Sequence, residues 1–227
     1  MEEKFAIEVN HVDRIFTVPG GKFQALKDIC ASVPEGTLTI LKGRSGSGKT
    51  TLMNIISALD SPTNGTVKMD GIDLGKLSDK EKEKLRRKNI GFVFQAVSLI
   101  PTMNAFQNVE FSMRLAGIKP GKARDKRVEE CLKLVGLGSR LYHMPAEMSG
   151  GEQQRVAIAR AIAHSPKLIL ADEPTAELDS AMAAQVTQMF KEMTRKENIT
   201  ILMTTHDVGL MDAGDYIIEL ENGVRIS

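Results

Sequence analysis

An excess of charge of either sign is what this chain most plainly lacks. Its 227 residues carry 30 lysines and arginines against 29 aspartates and glutamates, a formal net charge of +1. Such a balance offers no electrostatic footprint for nucleic acid or an anionic membrane, so no nucleic-acid partner is expected. Cysteine is scarce: Cys30 and Cys131 are the only two, without metal-ligand spacing. That excludes a disulfide scaffold and leaves the expectation of two reduced core thiols. No apolar run approaches the ~18 residues that span a bilayer. The opening Met-Glu-Glu-Lys has no apolar leader segment. The expectation is a cytosolic chain that reaches a membrane only through a partner. Repeats and low-complexity segments are also missing. What remains is 42% hydrophobic and 26% charged, an ordinary globular composition with enough length for a sizeable core.

What is present begins with Gly43-Arg44-Ser45-Gly46-Ser47-Gly48-Lys49-Thr50, followed by Thr51. Thr37 to Leu41 reads as a short buried strand before it, and Lys49 to Leu59 as a helix after it. A glycine-rich turn between strand and helix aims several N–H groups at one point, where the helix dipole adds positive potential. This is the pattern of a phosphate-binding loop: Lys49 can reach β- and γ-phosphates, and the Thr50 hydroxyl can ligate Mg²⁺.

Further apolar strands are expected at Ala6 to Val12, Cys30 to Val33, Gly65 to Met69, Ile90 to Phe94, Leu168 to Ala171 and Thr200 to Thr204. Tyr216 to Leu220 and Val224 to Ile226 form a hairpin around Asn222-Gly223. A loop around Pro19-Gly20-Gly21 joins the first two. Helices are expected over Asp79 to Lys88, Asn104 to Leu115, Gly121 to Val135, Gly151 to His164 and Ser180 to Lys196. The first of these mixes both signs of charge and reads as a solvated face. The order implies an α/β fold with a mostly parallel sheet covered on both faces. Gly43, Gln95, Asp172 and His206 each follow such a strand, and ligands of open α/β sheets bind at that rim. The helices between Asn104 and Val135 read as an insertion.

Leu168-Ile-Leu-Ala-Asp172-Glu173 ends an apolar strand in two carboxylates. Asp172 suits Mg²⁺ through a water, and Glu173 can polarise an attacking water. Gln95 can reach the metal or that water, and His206 can donate a hydrogen bond to a γ-phosphate. Met148-Ser149-Gly150-Gly151-Glu152 opens another helix, with Ser149 as its cap and free N–H groups behind it. One triphosphate needs one cradle, so this second anion site suits a nucleotide held by a second chain.

These motifs, with Glu177-Leu178-Asp179, make the chain resemble the nucleotide-binding subunits of ATP-binding-cassette (ABC) transporters over nearly its whole length. The resemblance implies a P-loop NTPase fold with a small antiparallel β subdomain and an inserted helical subdomain. It implies one domain over 1–227: a core of 1–95 and 158–227, and a helical part of 96–157 carrying the signature motif. Phe16 sits where an aromatic, often Tyr, stacks on adenine. Residues Gly43 to Thr51 hold ATP, and Thr50, Gln95 and Asp172 hold Mg²⁺. Glu173 is the general base and His206 senses the γ-phosphate. Ser149, Gly150, Gly151 and Glu152 face the nucleotide of the opposite subunit, and Asp179 communicates across a head-to-tail homodimer. The partner implied is a membrane permease, which places the chain at the cytoplasmic face.

Gly91-Phe-Val-Phe-Gln95, Leu99-Ile-Pro-Thr102 and Ala105-Phe-Gln-Asn-Val109 are similar to the branch that serves lipoprotein release, macrolide export and antimicrobial-peptide resistance. Within Leu99, Ile100, Phe106, Val109 and Phe111, some side chains should line a groove for a permease helix. Two departures stand out. The signature starts with Met148 where Leu is usual and ends with Glu152 where Gln is usual. Thr175-Ala176-Glu177 replaces a common Gly-Asn wording. A signalling or mechanical ATPase acting on a membrane protein would share every one of these residues. Soluble repair ATPases insert a coiled coil between the nucleotide motifs, and the stretch from Lys49 to Asp172 is too short for one.

Overall fold

The computed structural model describes residues 4–205 and 208–227. In chain order the elements are β1 (Phe5–Val18), β2 (Gly21–Pro34), β3 (Leu38–Lys42), α1 (Lys49–Ile56), β4 (Asn64–Met69) and β5 (Ile72–Asp73). Then come α2 (Asp79–Asn89), β6 (Ile90–Val93), α3 (Ala105–Leu115), α4 (Lys122–Leu134), α5 (Gly150–Ile162) and β7 (Leu168–Ala171). The chain closes with α6 (Ser180–Glu197), β8 (Thr200–Thr204), α7 (Val208–Met211), β9 (Tyr216–Glu221) and β10 (Val224–Arg225).

Two sheets result. A six-stranded sheet runs β10-β9-β3-β8-β7-β6, parallel throughout except for β10. A four-stranded sheet runs β2-β1-β4-β5 and is antiparallel. The near-continuous apolar strands follow from burial on both faces. Alternate residues of β7 face opposite ways: Ile169 and Ala171 pack with α3, α4, α5 and α6, whereas Leu168 and Leu170 pack with α1, β1, β2 and β4. The two faces of one sheet therefore seed two hydrophobic clusters.

The parallel register carries the chemistry to one rim. Leu41 pairs with Thr204, Ala171 with Met203, and Val93 with Ala171. Residues just beyond these pairs therefore emerge side by side.

Local chemistry sets the helix starts. α2 and α3 open with capping boxes, Ser78 with Glu81 and Asn104 with Gln107. Asp179 caps α6 by accepting from the N–H groups of Ala181 and Met182, both at 3.0 Å. The fully buried Asn108 holds the loop before α3: its side chain donates to the carbonyls of Ile100, Met103 and Asn104 and accepts from Ile100 N–H.

Three expectations need correction. β1 and β2 are 14 residues each and meet at a tight Pro19-Gly20 turn, not as short strands joined by a loop. Register shifts between Val9 and Ile15 break the alternation that marks a strand in sequence. α1 stops at Ile56 rather than Leu59, because Ala58 takes φ 57°. Cys131 is buried, but Cys30 is exposed.

Candidate nucleotide site

The loop between β3 and α1 is closed by tight backbone approaches. Gly48 sits at φ 104°, and a Cβ there would lie 2.7 Å from Leu26 Cδ2 and 2.9 Å from the Ala25 carbonyl oxygen. Only glycine meets both demands. No side chain among the described residues caps α1. The N–H groups of Lys49, Thr50 and Thr51 open the helix and have no intrahelical acceptor. Ser47 Oγ is buried without a hydrogen-bond partner among the described residues. Lys49 is buried, and its ammonium donates to the carbonyls of Gly43 (2.7 Å) and Arg44 (3.1 Å). Two of its three protons thus fix the ammonium over the loop. An orphaned hydroxyl, free N–H groups and a held ammonium form a donor set that fits phosphate oxygens.

The acceptors stand across from them. Thr50 Oγ1 donates to Asp172 Oδ2 at 3.1 Å, and Gln95 Nε2 donates to Glu173 Oε2 at 3.3 Å. Gln95 therefore keeps its amide oxygen for another partner. Hydroxyl, amide and carboxylate oxygens form the hard donor set that Mg²⁺ prefers, so the residues present fit that ion. These groups border a cavity of about 340 Å³ that also includes Ser45, Gly46 and Thr51.

A buried residue orders both carboxylates. Thr204 Oγ1 donates to Asp172 Oδ1 at 2.7 Å and accepts from Glu173 N–H at 2.8 Å. Glu173 holds φ 48°, an uncommon backbone state for a residue with a Cβ. Thr204 was not among the sequence candidates, because a threonine ending an apolar strand reads as a plain strand former.

The second glycine turn is built differently. Ser149 Oγ accepts from Glu152 N–H (3.3 Å), and Glu152 Oε2 accepts from Ser149 N–H (2.9 Å), a complete capping box. The Ser149 N–H bond, with the Arg140 and Arg155 charges, holds the Glu152 carboxyl below its usual pKa. Gly150 and Gly151 keep the N–H groups that have no intrahelical acceptor. None of these four residues borders the cavity. The turn after Glu173 passes close by: Gln154 Nε2 donates to the Pro174 carbonyl at 3.1 Å, and a Cβ on Gly151 would lie 3.2 Å from the Glu177 carbonyl oxygen.

Other candidates are placed as follows. Phe16 pairs across the hairpin with Phe23, and the Arg14 guanidinium sits 4.3 Å from the Phe16 ring centre. Phe23, not Phe16, borders the cavity. Sequence reasoning missed Phe23, whose exposure of 55% marks it only once the fold is known. Asp179 is engaged as the α6 cap. His206 lies outside the described residues. A separate apolar groove of about 440 Å³ lies between α2, β6 and α3, bordered by Phe92, Phe94, Ile100, Phe111 and Leu115. Phe92 and Phe94 stack with ring centres 5.4 Å apart. Of the five residues expected there, Ile100 and Phe111 line it; Val109 is core, and Leu99 and Phe106 pack against the core.

Known proteins resemble this chain over nearly its whole length. The family model described as "ABC transporter" matches residues 26–176. The ABC transporter ATP-binding protein YtrE of Bacillus subtilis is 41% identical over 222 residues, covering 96% of this chain and 96% of that one. The lipoprotein-releasing system ATP-binding protein LolD of Hyphomonas neptunium is 42% identical over 220 residues, 97% and 96% of the two chains. Among solved structures, the dimeric post-hydrolysis state of the ATP-binding cassette MJ0796, bound to ADP and Pi, superposes with a TM-score of 0.92. It is 40% identical and covers 97% of each chain; MJ0796 comes from Methanocaldococcus jannaschii.

Proposed function

The chain belongs to the ATP-binding proteins of ABC transporters, and from that premise we propose that it hydrolyses ATP as one half of a head-to-tail homodimer that drives a membrane permease. The observation that carries this is the joining of an uncapped helix start to the Thr50–Asp172 and Gln95–Glu173 pairs on one rim. Lys49 and the loop N–H groups hold the β- and γ-phosphates. Thr50, Gln95 and Asp172 would hold Mg²⁺, which neutralises charge on the transferring phosphate when bound. Glu173 takes the proton of the attacking water as the bond between the γ-phosphorus and the β-phosphate oxygen breaks, leaving ADP and phosphate. Thr204 orients Asp172, which would hold the ion, and Glu173, which would take the proton of the water. Phe23, which borders the cavity, offers a face for the adenine, with Phe16 paired across the hairpin from it.

The second cradle supports the dimer. Gly150 and Gly151 present N–H groups that border no cavity of their own chain's nucleotide site. They suit the γ-phosphate held by a second copy. Hydrolysis followed by loss of the cleaved phosphate removes that bridging group, so the dimer opens; this is a population shift driven by differential contacts. The MJ0796 cassette, dimeric in a post-hydrolysis state bound to ADP and Pi, supports a dimer that lasts while phosphate is still held.

The groove bordered by Phe92, Phe94 and Phe111 suits a short permease helix, with Arg86, Arg87 and Arg160 beside it. Export or extraction of a lipid, peptide or antibiotic is the reading for that permease, and the match to the lipoprotein-releasing system ATP-binding protein LolD supports its lipid form. No helix among the described residues is long and apolar enough to cross a membrane. Phosphate release from ATP by the purified chain, with and without a Mg²⁺ chelator, tests the core of the proposal. Mg²⁺-dependent release is expected; release that ignores the chelator would contradict it.

A further inference from the structure

The β1–β2 hairpin carries a group of ligand-type side chains that ATP chemistry does not use. Ile29 is fully buried, so its strand neighbours Asp28 and Cys30 both point to the opposite, open face of β2. On β1 the register shifts between Val9 and Val12, and within that irregularity His11 adopts φ 49°. The shift carries His11 onto the same face. Its Nδ1 lies 2.7 Å from Asp28 Oδ1, and its backbone N–H donates to Cys30 Sγ at 3.3 Å. Asp28 also sits at φ 49°, and its own N–H is held by Asp13 Oδ1 at 3.0 Å. Arg225 Nη1 donates to the Cys30 carbonyl at 2.9 Å, which ties the terminal hairpin to the same spot.

One ligand atom from each of His11, Asp28 and Cys30 lies within 4.8 Å of the other two. Tetrahedral zinc, with bonds of about 2.0–2.3 Å, sets its ligand atoms roughly 3.3–3.8 Å apart. The separations present, from 2.7 Å between His11 Nδ1 and Asp28 Oδ1 up to 4.8 Å, bracket that spacing. The side chains of His11 and Asp28 are 77% and 75% exposed, so nothing has to be unpacked to admit an ion. An imidazole nitrogen, a thiolate sulfur and a carboxylate oxygen suit Zn²⁺, and they suit Mg²⁺ and Ca²⁺ poorly. We infer that His11, Asp28 and Cys30 form a surface site for Zn²⁺, with three protein ligands and the fourth position open to water. The ion links strands β1 and β2 directly across the bulge.

The test uses Co²⁺ as the spectroscopic stand-in for Zn²⁺, titrated into the full chain in excess Mg²⁺. One equivalent is expected to raise a sulfur-to-cobalt charge-transfer band that Zn²⁺ then bleaches. Cys30→Ser abolishes the band, and His11→Gln and Asp28→Asn weaken binding at least about tenfold. Cys131→Ser keeps it, because that thiol is buried, with its pKa pushed up to about 11 by burial. Alkylation of Cys30 in the unaltered chain needs no variant: Zn²⁺ should slow it. A band that survives Cys30→Ser, no band at one equivalent, or Cys30 alkylation unaffected by Zn²⁺ overturns the site.

Discussion

Helices α1 and α5 both begin on glycine-rich turns, yet their first turns are completed in opposite ways. α1 starts from Gly48 in a left-handed conformation, with no capping side chain among the described residues. Its positive end is left open, and the Lys49 ammonium and Ser47 hydroxyl beside it add further donors. α5 starts from Ser149 and satisfies two of its N–H groups with its own hydroxyl and with the Glu152 carboxylate. A cap of that kind stabilises a helix by about 1 kcal/mol. The open end forgoes that gain and stays ready for an anion. The closed end is stable by itself and exposes only the Gly150 and Gly151 N–H groups. One end is thus built to hold a triphosphate, the other to touch one already held.

The sharpest way to break this contrast is Lys49→Ala. Removing the cation from the open end should lower ATP hydrolysis by at least about a hundredfold, as read by phosphate release. A variant at near-normal rate would mean that the loop is not the cradle. Next in size is Thr204→Val, which keeps shape but removes the hydroxyl that accepts from Glu173 N–H and donates to Asp172. That should cost about 1–3 kcal/mol and lower the melting temperature by roughly 2–12 °C. Hydrolysis should fall about tenfold, with more Mg²⁺ needed for half-maximal rate.

The smallest effect belongs to the closed end. Glu152→Gln keeps the capping box and removes one negative charge. It should tighten ATP-dependent self-association a few-fold, as read by sedimentation. The Glu152 carboxyl has a lowered pKa in the folded chain. Its stabilisation is therefore present above the ordinary glutamate range and is lost as pH falls through the lower folded value. Melting curves of the parent chain should show this extra acid sensitivity, and Glu152→Gln should lack it.

Much of the phosphate cradle could be read from residue order. β7 and β8 begin and end where their unbroken apolar runs predict, because burial on both sheet faces leaves no polar interruption. Lys49, Thr50, Gln95, Asp172 and Glu173 converge because each follows a parallel strand. The hairpin was harder to read. Bulges in β1 disrupt its alternation, which hid half its length, the role of Phe23 and the outward position of Cys30. Thr204 was hidden for another reason: its value lies in a cross-strand register that residue types do not encode. In the groove, apolar type alone could not separate Phe111, which lines it, from Val109, which is core.

The most direct test of the two-cradle account is the mass of Glu173→Gln in solution by light scattering, with Mg²⁺ and either ATP or ADP. With hydrolysis blocked, ATP should hold the chain as a dimer and ADP should leave it a monomer. A monomer under both nucleotides, with ATP shown to be bound, would contradict the claim that Ser149 to Glu152 closes on a phosphate held by a second copy.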